Sequence, residues 1–339
     1  MRAAIWQGPR TMTVEEIPRP EVATGEILLR VGFVGICGSE LSGYLGLNSL
    51  RRPPLIMGHE FSGTIVEVGP DAGDFRVGER VTVNPMVPDG TCVMCRNGHE
   101  NLCLNRSLIG AHRPGAFAEY VAVPAKAAYR LPDTLDDLTG TLVEPLACAV
   151  RAVSLAGVTV GSHLVIMGAG PIGLLALAVA RRAGASTVAI VDVNPARLAV
   201  AREWGATHTI NPAQDDLAAI VGAATGGLGC DCALDAVGLP ITRRQAVASV
   251  RPGGRVIFLG LHEDETSLAI NTIVRSEISI QGSFCYSQTD FTVALRLLAD
   301  GFLPDAESWL TLRPLEEADA SFAQLIDAPA DITKVVLRL

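Results

Sequence analysis

Over roughly the first 145 residues the apolar positions fall in short β-rich runs, AAIW, EILLRVGFVGI, FSGTIVEVG, ERVTVN and AEYVAV, punctuated by Gly and Pro with few helical periods. This half reads as mainly β. From about residue 160 the pattern changes to continuous apolar runs, each followed by an Ala-rich stretch: HLVIMG then PIGLLALAVARRAG, TVAIVD then PARLAVAREWG, CALDAVG then ITRRQAVASV. Strands without a polar face, alternating with helices, predict a parallel sheet covered on both sides. GGRVIFLG and ISIQGSF add two strands. Beyond about residue 287, FTVALRLLADG and LEEADASFAQLI predict helices and KVVLRL a closing strand. No internal repeat, low-complexity tract or long linker separates these stretches, so closely packed domains are expected.

At about 150 residues per domain, a chain of 339 residues fits two domains. Apolar residues at 49% against 19% charged exclude disorder by composition. Thirty-six acids against 27 bases give a net charge of −9, which leaves no broad basic face for phosphates and excludes nucleic-acid binding as a main role. No apolar run approaches the roughly 20 residues that span a bilayer. MRAAIWQGPR lacks the continuous apolar core of a secretion signal, so a soluble cytoplasmic protein is expected. Lys126 and Lys334 are the only lysines, which reads as genome composition without functional meaning. Eight cysteines are too few for a disulfide scaffold, and the clustering of Cys92, Cys95 and Cys103 points to metal.

Gly168-Ala169-Gly170-Pro171-Ile172-Gly173 follows an apolar strand and opens a helix, as binding of a pyrophosphate requires. Glycines allow a tight turn and close approach, while the helix N-terminus offers amide donors and positive dipole. Asp192 ends the next strand, 19 residues after Gly173, where a carboxylate can accept from the adenosine ribose hydroxyls. Its charge opposes a 2′-phosphate, which favours NAD over NADP. Arg197 either covers the adenine side or is an ordinary exposed helix arginine.

Gly58-His59-Glu60 joins two donor side chains, although one His and one Glu alone are more often a surface pair. Cys37 in GICGSE adds a soft third donor and Glu144 in VEPLAC a fourth. Three protein ligands and one exchangeable position are what catalytic zinc needs. With Gly-His-Glu-x2-Gly-x5-Gly met by Gly58, His59, Glu60, Gly63 and Gly69, the sequence resembles the zinc-dependent medium-chain alcohol dehydrogenases, most closely the polyol and threonine dehydrogenase branch. The likeness spans nearly the whole chain.

The resemblance implies an α/β protein: a GroES-like, mainly-β catalytic domain of residues 1–145 and 287–339, and a Rossmann domain, a doubly wound parallel sheet, of residues 146–286. It implies an active site in the cleft between them, with Cys37, His59 and Glu60 or Glu144 holding catalytic zinc and Ser39 receiving the substrate proton. Leu259, Gly260, Leu261, Ser283, Phe284 and Cys285 join the glycine loop as expected cofactor contacts. Asp89-x2-Cys92-x2-Cys95-x7-Cys103 matches the family's structural zinc lobe with aspartate in place of the first cysteine. Zinc accepts a carboxylate there; a lobe without metal and a redox pair at Cys92 and Cys95 are the alternatives. A homotetramer, or a dimer, is expected from pairing of the strand around Ile278 to Phe284 with its two-fold mate.

The chain also departs from the family. Ser42 stands where a relay histidine is frequent, and Glu40 where aspartate is usual. Gly43 and Cys285 replace a tyrosine and an arginine of polyol enzymes, which predicts a wider, less polar pocket that handles sorbitol and xylitol poorly. Tyr44 and Tyr286 are either pocket donors or packing residues. The expected reaction is reversible NAD-dependent oxidation of a secondary alcohol, within a polyol or sugar derivative, to a ketone. L-Threonine or a vicinal diol is the alternative substrate, and an NAD-binding sensor or scaffold the non-enzymatic alternative.

Overall fold

The apolar run that begins at Glu26 forms the longest strand, Glu26–Gly35, and the first half of the chain is organised around it. In the computed structural model, which describes residues 1–329 and 332–339, the chain divides into two units, Met1–Glu144 with Ser287–Leu339, and Pro145–Tyr286.

The first unit holds a seven-stranded sheet in which Glu26–Gly35 lies between Glu60–Val68 and Lys334–Arg338 and also pairs with Tyr120–Pro124. Register shifts at Leu28/Leu29 and Val31/Phe33 mark bulges, which bend a strand and increase its twist. Ile27, Leu29, Phe61, Ile65, Val81 and Phe117 bury their side chains in one core with Phe322 of the helix Ala318–Asp327. Gly35 pairs with Glu60 on one side and with Val336 on the other. That register brings residues from the start and the end of the chain together.

The second unit is a six-stranded, wholly parallel sheet in the order His208–Ile210, Thr187–Val191, His163–Met167, Cys230–Asp235, Val250–Phe258, Ser279–Gly282. Numbered along this sheet the order is 3-2-1-4-5-6, that of a Rossmann fold. All five residues of Thr187–Val191 are buried, as its lack of a polar face requires. The strand Ser279–Gly282 ends the sheet and is exposed along its whole length.

The helix Val143–Ala156 has no counterpart in the pattern reading. It is buried on nearly every side. Among the described residues no helix is long and apolar enough to cross a membrane.

Candidate active site and cofactor site

Cys37 Sγ, a His59 ring nitrogen and a Glu60 carboxylate oxygen lie within 4.8 Å of one another. Cys37 caps the helix Gly38–Tyr44 just past the strand Glu26–Gly35, while His59 and Glu60 open the neighbouring strand. Gly58 has φ of +101°, and a Cβ there would sit 2.7 Å from the Phe117 amide, so the turn that delivers His59 needs glycine. Glu40, fully buried, accepts from Gly58 N at 2.7 Å, Cys37 N at 3.1 Å and His59 Nδ1 at 2.8 Å. With Nδ1 engaged, Nε2 is the nitrogen left for a metal, the arrangement of a carboxylate behind a ligating histidine. Burial opposes charge on the imidazole, but Glu40 and Cys37 outweigh it and hold the His59 pKa well above its ordinary value.

Glu60 forms a buried ion pair with Lys334, whose Nζ also donates to Ile36 O at 3.2 Å. A side chain on Gly35 would collide with both partners. Burial disfavours the ammonium, and Glu60, Cys37 and Glu144 overcome it, raising the Lys334 pKa. Glu144 is buried in the first turn of Val143–Ala156 and lies outside the three-residue cluster. Thiolate, imidazole and carboxylate at this spacing form a zinc donor set with a further position open.

Asp89, Cys92, Cys95 and Cys103 form a second group within 4.8 Å. Cys92 Sγ is 3.5 Å from Cys95 Sγ and 3.9 Å from Cys103 Sγ. Asp89 Oδ1 accepts from Cys92 N at 3.0 Å and Thr91 N at 2.8 Å, and Oδ2 from Asn105 Nδ2 at 2.7 Å. The Cys92 amide first, then Asn105 and Thr91, hold the Asp89 carboxyl well below the usual range, so it stays an anionic donor. Three thiols and a carboxylate fit a closed tetrahedral zinc site.

In the second unit Gly168 has φ of +97°, Gly170 caps the helix Pro171–Arg182, and a Cβ on Gly173 would run into the Gly168 carbonyl. Pro171 and Ile172 fill the first turn. Asp192 accepts from Ala169 N at 2.8 Å and from Asn194 N at 2.8 Å, which ties the acid to the glycine turn. Arg197, on the helix Pro195–Glu203, buries an Nε that has no hydrogen-bond partner. Leu259 and Gly260 donate to Asp235 O at 3.1 and 2.9 Å, Leu261 is exposed, and Ser283 N donates to Phe258 O at 2.8 Å ahead of Phe284 and Cys285. These residues follow the carboxyl ends of parallel strands, where α/β sheets bind ligands.

The family model for an alcohol dehydrogenase GroES-like domain matches residues 23–133, and that for a zinc-binding dehydrogenase matches residues 171–300. Sorbitol dehydrogenase from Bacillus subtilis is 33% identical over 343 residues, covering 99% of this chain and 97% of its own. The chain belongs to the zinc-dependent medium-chain alcohol dehydrogenases. Within them it falls in the branch of polyol and threonine dehydrogenases: L-threonine 3-dehydrogenase from Pyrococcus abyssi is 38% identical over 76% of this chain and 75% of its own. A solved structure described as a zinc-binding dehydrogenase from Sinorhizobium meliloti 1021 bound to NADP matches with a TM-score of 0.93 at 33% identity, covering 100% of this chain and 99% of that one. This alcohol dehydrogenase is therefore an oxidoreductase that uses zinc and a nicotinamide dinucleotide.

Two sequence expectations need correction in this dehydrogenase, those on Lys334 and Gly43, and a third, on Tyr44, is decided between its alternatives. Lys334, read as compositional, is the buried partner of Glu60. Of the two readings of Tyr44, packing holds: its hydroxyl donates to Asp319 Oδ1 at 2.8 Å and its ring lies 5.0 Å from Phe322. Gly43 does not widen the pocket, because Arg51 fills the space: a Cβ on Gly43 would lie 2.6 Å from Arg51 Cδ. Arg51 is a neighbour of Ser39 that sequence reasoning did not single out. It donates from Nη2 to Ser39 Oγ at 3.3 Å and from Nη1 to Ser39 O at 3.1 Å, and it sits in no motif that could announce it.

Proposed function

We propose that this dehydrogenase reversibly oxidises a secondary alcohol, within a polyol or sugar derivative, to a ketone with NAD. The observation that carries the reading is the convergence of Cys37, His59 and Glu60, with Ser39 Oγ 3.5 Å from Cys37 Sγ in the first turn of the helix that Cys37 caps. Cys37, His59 and Glu60 or Glu144 hold the catalytic zinc, and Asp89, Cys92, Cys95 and Cys103 a structural one. When bound, zinc supplies Lewis acidity at the substrate oxygen and the nicotinamide supplies the hydride acceptor. Ser39 Oγ accepts the substrate proton. Glu40 fixes the tautomer of His59 through Nδ1, and Lys334 keeps a cation beside Glu60.

Gly168, Gly170 and Gly173 cradle the pyrophosphate at the start of Pro171–Arg182, and Asp192 selects the ribose without a 2′-phosphate. The exposed edge Ser279–Gly282 pairs with a second copy, giving a dimer or tetramer in the cytoplasm, which would satisfy its open backbone groups. Because Arg51 occupies the room beside Gly43, reduced handling of sorbitol rests on Cys285 alone.

Initial rates with NAD and NADP against sorbitol, xylitol, L-threonine and 2,3-butanediol test the reading. One of these secondary alcohols should turn over, with NAD favoured at least about tenfold. No turnover of any overturns the substrate class, and parity with NADP overturns the cofactor choice.

A further inference from the structure

Arg51 is an arginine in the wrong place for stability. Its relative exposure is 4%, its Nε has no hydrogen-bond partner, and among the described residues it forms no ion pair. Glu40, fully buried, is the carboxylate that the Arg51 charge acts on, without a direct ion pair, and a charge taken from water and left unpaired is costly. Its guanidinium is spent on one residue: Nη1 reaches Ser39 O at 3.1 Å and Nη2 reaches Ser39 Oγ at 3.3 Å. Gly43 leaves the path open, and the turn before Arg51 is tied to the same carbonyl by Asn48 Nδ2 at 3.5 Å.

We propose that Arg51 is a positioning residue that orients the Ser39 hydroxyl for proton transfer, in a chain whose residue 42 is serine and not histidine. The inference rests on Ser39 as the proton acceptor. A serine oxygen has two acceptor positions and one proton, and arginine only donates. Nη2 takes one acceptor position and the serine proton points to Cys37 Sγ at 3.5 Å, so the other acceptor position is left for the substrate hydroxyl. In the oxidation the Ser39 O–H bond breaks first, its proton passing to solvent water, and the substrate O–H bond then breaks as a new bond to Ser39 Oγ forms. Negative charge that develops on Oγ during this exchange meets a fixed charged donor. Arginine does not lose its own proton, so Arg51 steers the relay without carrying it.

The test uses the full-length, zinc-loaded dehydrogenase with NAD and the fastest alcohol among sorbitol, xylitol, L-threonine and 2,3-butanediol. Arg51→Met should lower kcat about 10- to 100-fold, leave KM within about twofold, enlarge the solvent deuterium isotope effect on kcat, and leave Tm unchanged or raised. In a Ser39→Ala background the same change should alter kcat less than about twofold, and Arg51→Lys, which keeps a charged donor, should recover at least about threefold. If Arg51→Met does not fold by circular dichroism, Gly43→Ala, which crowds Cδ while keeping every charge, should lower kcat in the same Ser39-dependent way. Full additivity with Ser39→Ala, or a lower Tm with kcat per folded molecule unchanged, overturns the inference alone. An unaltered kcat in Ser39→Ala, or no turnover of any alcohol, overturns the reading beneath it as well.

Discussion

The two donor clusters of the catalytic unit are built in opposite ways. Cys37, His59 and Glu60 come from separate stretches, and Lys334 donates to Ile36 across 298 residues of chain. Two of these side chains are oriented by groups on other elements: Glu40 holds His59, and Lys334 holds Glu60. The second cluster falls within residues 89 to 103 and is oriented by its neighbours in sequence, the amides of Thr91 and Cys92 and the side chain of Asn105. It also has little core of its own, since Val93, Leu102 and Leu104 are 53%, 40% and 70% exposed. The sheet register therefore holds the first cluster in place without metal, whereas in the lobe the zinc proposed above would be part of folding.

The largest effect that separates the two is expected from His59→Ala. Turnover should fall by about 10³-fold or more, as for a group essential to the chemistry, with Tm within a few degrees of wild type by calorimetry. Lys334→Met comes next, because it leaves Glu60 as a buried carboxylate without its cation. Urea unfolding should show a loss of about 3–5 kcal/mol; a loss under about 1 kcal/mol would mean that another group compensates Glu60. Cys95→Ser should act the other way round from His59→Ala. Elemental analysis should fall from two zinc ions per chain to one and Tm by several degrees, while kcat per folded molecule stays within about threefold. A larger Tm loss from His59→Ala than from Cys95→Ser would invert the comparison, and a single zinc in the wild type would remove its second half.

The same contrast explains what could be read from sequence. The lobe, the Gly-His-Glu signature and the glycine turn were legible because their chemistry demands residue types at fixed local spacing, and Gly58 and Gly173 are where only glycine fits. The parallel sheet was legible because strands without a polar face must be covered twice. Lys334, Gly35 and Arg51 were not, since each acquires its role only from register: Lys334 because its strand pairs beside Gly35, Gly35 because a side chain would strike the Glu60–Lys334 pair, and Arg51 because Gly43 leaves room for it. The helix Val143–Ala156 was not read from the pattern, and the role expected of Glu144 at its start came from a resemblance alone.

The smallest expected effect concerns the cofactor, and it asks whether an acid held by the fold can also discriminate. Asp192 resembles Glu40 in that both carboxylates are fixed by backbone amides, here those of Ala169 and Asn194. A carboxylate pinned by both oxygens cannot swing away from an incoming 2′-phosphate, so its repulsion should be expressed as selectivity. NAD should be preferred over NADP at least tenfold in kcat/KM, about 1.4 kcal/mol. Asp192→Ser should erase most of that preference. It should also lower kcat/KM with NAD, because the Ala169 amide in the glycine turn loses its acceptor. The relative from Sinorhizobium meliloti 1021 bound to NADP makes the measurement discriminating. If Asp192→Ser leaves the ratio of the two cofactors untouched while weakening both, the acid shapes the turn only, and Arg197 becomes the residue to vary next.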